Sequence, residues 1–497
     1  MEHFDVVIVG AGLSGIGAAV HLRQHCPAKT FVLLEARDTI GGTWDLFRYP
    51  GVRSDSDMHT LGYSFKPWLD AKAIADGPAI LDYVKDAARE HGIDRHIRYR
   101  HKVRKAAWSS EKAAWMIECE RPSGEIVSFT CNFMLMCAGY YSYREGFTPE
   151  FPGRERFKGP VVHPQKWDEK LDFAGKRVVV IGSGATAMTL VPALAKTAAH
   201  VVLLQRSPTY VVSRPDRDAI ANFLRKVLPE RWAYAITRWK NVDFQQRVYR
   251  KTRTDPEFVK NRLLRMVREA LGPDYDIEKH FTPRYNPWDQ RLCLIPNADL
   301  FEVLKSGRAS IVTDQIDTFT EKGILLKSGA ELEADILVTA TGLNLAILGE
   351  AQFFVDGEAV DFSKAWGYKG LMFSGIPNLV ATFGYINASW TLRADLIAEY
   401  ACRLLNHMDA RQAKQATPTL RPSDASMNAR PWIDGFSSGY VQRAMHRFPR
   451  QGDREPWVNP QNYRTDKAMI RRGAIEDGVL QLTSPARASQ DLAVAPA

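Results

Sequence analysis

Short apolar runs, each stopped by a glycine or a charged residue, recur along this chain. Asp5-Val6-Val7-Ile8-Val9 ends at Gly10, and Phe31-Val32-Leu33-Leu34 ends at Glu35. Neither run alternates with polar positions, so each reads as a strand of a parallel sheet covered on both faces. Ile16 to His25 has helical spacing, which completes a strand–helix–strand unit by Glu35. The same succession returns from Arg177 through Arg206.

Other patterns fill the intervals. Pro78 to His91 predicts a helix. Alternating stretches near Ile97–Val103, Trp115–Glu120 and Ile126–Thr130, with Pro122-Ser123-Gly124 as a turn, predict a small antiparallel excursion. Phe133 to Cys137 and Asp335 to Thr341 are further buried strands, closed by Gly139 and Gly342. From Arg214 to about Tyr285 the chain turns basic, aromatic and helix-compatible, as an insertion would. Ser484 to Ala497, rich in Ala, Ser and Pro, reads as a frayed tail.

The glycine spacing changes this picture from architecture to chemistry. Gly10-Ala11-Gly12-Leu13-Ser14-Gly15 follows a strand and opens a helix, the context in which such a loop binds a pyrophosphate at a helix amino terminus. Glu35, at the end of the second strand, suits a pair of ribose hydroxyls and so favours FAD or NAD over NADP. Gly182-Ser183-Gly184-Ala185-Thr186-Ala187 opens the second unit, but Gln205 and Arg206 stand where the carboxylate would be. A guanidinium there suits a 2′-phosphate, which predicts NADPH. Two such loops predict that two dinucleotides meet, a bound flavin and its reductant.

The fold class is therefore α/β, with two Rossmann-like dinucleotide-binding domains. Residues 1–140 and 343–497 form a discontinuous FAD domain, and 141–342 form the NADP domain with a helical insertion at about 214–285. The chain passes between them near Cys137-Ala138-Gly139 and Ala340-Thr341-Gly342, which makes these segments hinges.

Composition narrows the remaining classes. A chain of 497 residues, 45% hydrophobic and 25% charged, is an ordinary globular protein of two or three domains. The net charge of +9 fits cationic walls around polyphosphates, and no nucleic-acid-binding motif accompanies it. Six scattered cysteines without a CxxC pair predict a reduced chain with no structural zinc and no metal site, and remove the redox pair that a disulfide reductase needs. Val6 to Val20 lacks a basic flank and is cut by glycines, so it is no signal peptide, and the expected location is cytoplasmic. The insert Arg214–Arg253 has two readings: core packing, or peripheral membrane contact with Trp232, Tyr234 and Trp239 at the interface.

Two longer motifs carry a resemblance. Phe157-x-Gly159-x-x-x-His163-x-x-x-Trp167-Asp168 resembles the fingerprint of the Baeyer–Villiger monooxygenases, where related flavin monooxygenases carry Tyr or Phe in place of Trp167. Gly41-Gly42-Thr43-Trp44, followed by Tyr49-Pro50-Gly51 and Asp55, is a second pattern of that family. The segments Trp44–Gly51, Arg53–Asp57 and Tyr285–Cys293 are most similar to the ethionamide-activating branch, and the likeness runs to about Tyr463.

This resemblance implies an FAD enzyme that uses NADPH and O2 to convert ketones to esters or lactones through a C4a-peroxyflavin, with S-oxygenation of sulfides or thioamides as a second activity. It implies that Thr43, Trp44, Asp45 and Leu46 line the flavin and that Val103 meets its adenine through the backbone. Arg53, Ser54 and Asp55 would lie where flavin and nicotinamide meet, and Arg291 would hold the peroxide anion with Asp55 orienting it. His163 would be conformational rather than a general base. One position departs: many members carry Lys before this Arg, and here it is Gln290, so NADPH preference rests on Arg206. Two rivals stay open, a flavin monooxygenase confined to nitrogen and sulfur, and a non-catalytic NADP-sensing flavoprotein.

Overall fold

The computed structural model describes residues 1–485. All but two residues of the tail expected to fray lie outside them. A nine-stranded sheet forms the first unit. Its parallel part places Glu2–Val9 between Phe31–Leu34 and Ile126–Met136, with Leu379–Ala381 parallel to the last of these. Ile126–Met136 then pairs antiparallel with Ala114–Glu120, and that strand with Lys102–Ser109.

The doubly covered strand has a simple signature in the core. Val6 and Ile8 point into one apolar cluster with the helix Leu13–His25, while Val7 and Val9 point into another with Trp108, Trp115 and Phe353. Successive side chains alternate faces, and both faces are apolar, so the run shows no alternation. The second unit repeats this. Its five parallel strands run Ala309–Thr313, His200–Gln205, Arg177–Ile181, Ile336–Thr339, Val161–Val162. Val178 and Val180 enter one cluster, Val179 and Ile181 the other.

Two expectations need correction. Ile126–Thr130 and Phe133–Cys137 are one continuous strand, Ile126–Met136. The polar Asn132 does not break it, because its side chain meets the His3 ring at the sheet surface, 3.2 Å away. Conversely, Ile97–Val103 is split. Ile97–Arg98 pairs with Phe31–Leu34, Arg100 turns the chain at φ 60°, and a new strand starts at Lys102.

The insertion holds the helices Ala219–Val227, Glu230–Thr254, Pro256–Leu271 and Ile277–Phe281. Its long helix is tied to the first unit by Arg238, which donates to the Gly62 carbonyl at 2.7 Å and lies 3.4 Å from Asp395. Tyr234 is buried, its hydroxyl donating to the Tyr63 carbonyl, so it is not at an outer interface. Among the described residues no helix is long and apolar enough to cross a membrane. All six cysteines are buried and free.

Candidate active site

The glycine loops are built by close approach of backbones. A Cβ on Gly15 would stand 1.9 Å from the Gly10 carbonyl oxygen, so the helix Leu13–His25 can leave its strand only if that position is glycine. The second loop has Ala187, fully buried, at the corresponding place. Gly12 and Gly184 cap their helices without any side-chain hydrogen bond, which leaves the first helical N–H groups free for an anion. Beside Gly184 a Cβ would meet nothing within 4 Å. That open space is a cradle with room for a pyrophosphate.

Both loops open into one cavity of about 1210 Å³. Gly10, Gly12, Ser14 and Glu35 line it from one side, Gly182 to Thr186 and Arg206 from the other. Seven Lys and Arg face five Asp and Glu around its wall, a surplus suited to phosphates. Glu35 is buried and accepts the Ala11 N–H at 2.7 Å and the Arg37 N–H at 2.9 Å, which fixes its carboxylate at the strand end. Gln205 and Arg206 part company. Gln205 is buried and donates to the His280 carbonyl and the Thr313 hydroxyl, both at 2.8 Å, away from the cavity. Arg206 is exposed and has no hydrogen-bond or ion-pair partner among the described residues.

Arg291 and Asp55 meet in the same cavity, although 236 positions separate them. One guanidinium nitrogen binds the Asp55 carboxylate, and the other donates to the Ile386 carbonyl at 2.8 Å. Burial works against this charge, but the Asp55 carboxylate outweighs it and raises the guanidinium pKa above its ordinary value. Arg291 is thus a permanent, two-point-fixed cation. Asp57, an acidic neighbour of Asp55, is engaged elsewhere: it caps the helix Met58–Leu61 through the Thr60 N–H and accepts from Asn241 at 2.9 Å. Arg53 lines the cavity while held by Asp299, and Ser54 is buried beside the Ala75 carbonyl. Tyr49, whose pKa burial pushes up to about 12, stays a neutral hydrogen-bonding wall.

The chain matches the FMO-like family, flavin-binding monooxygenase-like, over residues 4–365. It belongs to that family. The FAD-containing monooxygenase EthA of Mycobacterium tuberculosis is 53% identical over 477 residues, 96% of this chain and 97% of the relative. Among solved structures, a steroid monooxygenase bound to NADP has a TM-score of 0.77 at 22% identity, covering 97% of this chain and 100% of that one. A cyclohexanone monooxygenase bound to ε-caprolactone has a TM-score of 0.75 at 20% identity, with the same coverage. At such identities the structures speak to the fold, which is that of two dinucleotide-binding domains.

In this flavin monooxygenase the other expected residues fall into two groups. Thr43, Trp44 and Val103 line the cavity. Asp45 and Leu46 do not; Asp45 is buried between Arg37 and Arg48, 2.6 Å from each. The fingerprint also lies outside the cavity. Phe157 is buried under the second sheet, and a Cβ on Gly159 would stand 2.4 Å from the Asp335 carbonyl. Trp167 packs edge-on against Phe173. His163 accepts the Gln165 N–H at Nδ1, which leaves Nε2 to donate to the Gly342 carbonyl at 3.0 Å. Burial lowers its pKa, so it is a neutral tie at one domain crossing.

The stretch Asn387-Ala388-Ser389-Trp390 reads from sequence as part of the pocket, and Ala388 and Trp390 line it; the tyrosines around it and a clamp were missed. Tyr140, Tyr141 and Tyr440 surround Arg291, and Tyr140 stacks on Trp390 at 4.9 Å. Trp390 in turn donates to Ser14 in the first loop at 2.7 Å. The cluster Tyr140-Tyr141-Ser142-Tyr143 directly after a strand-ending glycine was the available signal. Gln461 clamps the segment that holds Arg291. Its side-chain oxygen accepts the Ile386 N–H, and its carbonyl accepts from Asn387, both at 3.0 Å. Nothing in its local sequence marks that role.

Proposed function

We propose that this protein is a Baeyer–Villiger monooxygenase that holds FAD on the first loop, takes NADPH on the second, and converts ketones to esters or lactones. The observation carrying the reading is the fixed Arg291 cation in the one cavity shared by both loops. The residues fit the cofactors. FAD would lie along uncapped N–H groups at Gly12 with its ribose at Glu35, and the 2′-phosphate of NADPH would meet the unpartnered Arg206. Likeness to the FAD-containing EthA supports the first assignment.

FAD held there and reduced by NADPH would supply activated oxygen. Arg291 would stabilise negative charge developing beside it, and its raised pKa would keep it from giving up its own proton. Asp55 and the Ile386 carbonyl aim the guanidinium, while the tyrosines and Trp390 exclude water. Resemblance to the ethionamide-activating branch supports sulfide or thioamide sulfur as a second acceptor. The antiparallel pair Tyr141–Gly146 and Leu343–Leu345 follows the two domain crossings, and His163 ties one of them. These crossings are the expected hinges for rotation of the NADP domain during turnover, and identical domain angles in crystals with and without NADP⁺ would refute that motion.

The test is stopped-flow absorbance of purified protein mixed with NADPH and oxygen, with and without a simple ketone, followed by product analysis. Ester formed in step with NADPH consumption is the expected result. Oxygenated sulfur or nitrogen products alone would restrict the activity, and no NADPH oxidation in air would leave a sensor.

A further inference from the structure

The first two helices of the insertion are amphipathic the wrong way round for a core. On Ala219–Val227, Asn222 and Arg225 face the protein, donating to the carbonyls of Ala71 and Leu69. Ile220, Phe223 and Val227, at helical spacing, face outward; Phe223 is 61% exposed. On Glu230–Thr254, Tyr234, Thr237 and Arg238 face inward, while Trp232, Ile236 and Trp239 face outward, Trp239 at 67% exposure.

The two stripes lie side by side. Lys240 binds Asp218 at 2.7 Å at one end of the hairpin, and Leu228-Pro229 makes the turn at the other. Antiparallel helices in that register set Ile220 beside Trp239, Phe223 beside Ile236 and Val227 beside Trp232. One turn past Trp239, Asp243 is buried and paired with Arg247 and Arg464.

Charge selects the occupant. Between Ala219 and Val242 the sole carboxylate is Glu230, against five Lys and Arg. Across Ala219–Leu271 thirteen Lys and Arg outnumber five Asp and Glu, a net +8 within a chain of net +9. Lys226 and Arg231 are exposed without an ion-pair partner among the described residues. A second copy would bring the same positive face, and like charges oppose that pairing. We propose that this hairpin docks on an anionic lipid surface, with its Trp, Phe and aliphatic stripes in the headgroup region and its cations on the lipid phosphates.

The test is sedimentation of the cofactor-loaded, full-length protein with vesicles of phosphatidylcholine, alone or with phosphatidylglycerol. The protein is expected on the phosphatidylglycerol vesicles, less so in high salt. Phe223→Ser with Trp239→Ser, and separately Lys226→Glu with Arg231→Glu, should each weaken binding about tenfold or more. Both doubles alter exposed side chains, so circular dichroism and turnover of a water-soluble ketone should match the parent. Equal binding by parent and variants, or no binding to either vesicle, overturns the proposal. So does vesicle-independent dimerisation abolished by the aromatic double, which would make this face an interface between copies.

Discussion

At the end of its second strand the first unit carries Glu35, buried and already holding two backbone N–H groups, whereas the second unit carries Arg206, exposed and without a partner among the described residues. The third loop position differs in the same sense: Gly15 admits no methyl, and Ala187 already is one. A tightly interlocked loop suits a cofactor that stays, and an open one with a free cation suits a cofactor that exchanges. The difference supports the proposal that FAD sits on the first unit and NADPH on the second.

The hardest blow to that comparison is a methyl added to the first loop and one removed from the second. Gly15→Ala should destabilise by about 3 kcal/mol and lose flavin, because backbone must move to admit the Cβ. Ala187→Gly should lose only about 1 kcal/mol. Urea unfolding midpoints and flavin absorbance read both, and equal losses would erase the asymmetry.

Arg206→Ala sharpens the comparison at the coenzyme. It should raise the KM for NADPH by about 10- to 100-fold, the worth of a charge-assisted contact, and leave that for NADH nearly unchanged. Steady-state kinetics with both coenzymes measures it, and equal shifts would defeat the 2′-phosphate assignment.

A smaller effect is expected between the loops. Gln461→Leu should slacken Ile386 and with it Arg291, lowering the ester formed per NADPH by about threefold to tenfold. An unchanged ratio would make Gln461 merely structural. Least of all, His163 should tie the domain crossing in a pH-dependent way. Its pKa in the fold lies below that of the unfolded chain, so its contribution is complete above about pH 6.5 and fades as pH falls. The drop in Tm between neutral and mildly acid pH should be smaller in His163→Gln, by an amount worth about 1 kcal/mol or less.

Local physics made part of this legible. The strand–glycine–helix units, Glu35 and Arg206 each depend on neighbours within a few tens of residues, and the structure has them where the pattern placed them. Asp45 illustrates the limit: its motif is next to the cavity, yet its carboxylate is consumed by Arg37 and Arg48. Tyr234, open to a core or an interfacial reading from sequence, is decided by a partner far along the chain, the Tyr63 carbonyl. Tyr440, Ile386 and Gln461 reach Arg291 only through long-range folding of the chain after residue 343, which no local period records.

The most direct measurement is the fate of NADPH and oxygen in an FAD-loaded Arg291→Ala protein given a ketone. The flavin should still be reduced by NADPH near the parent rate, while ester formation falls about 10²- to 10³-fold and oxygen uptake diverts to hydrogen peroxide. Ester formed at the parent rate would contradict the account.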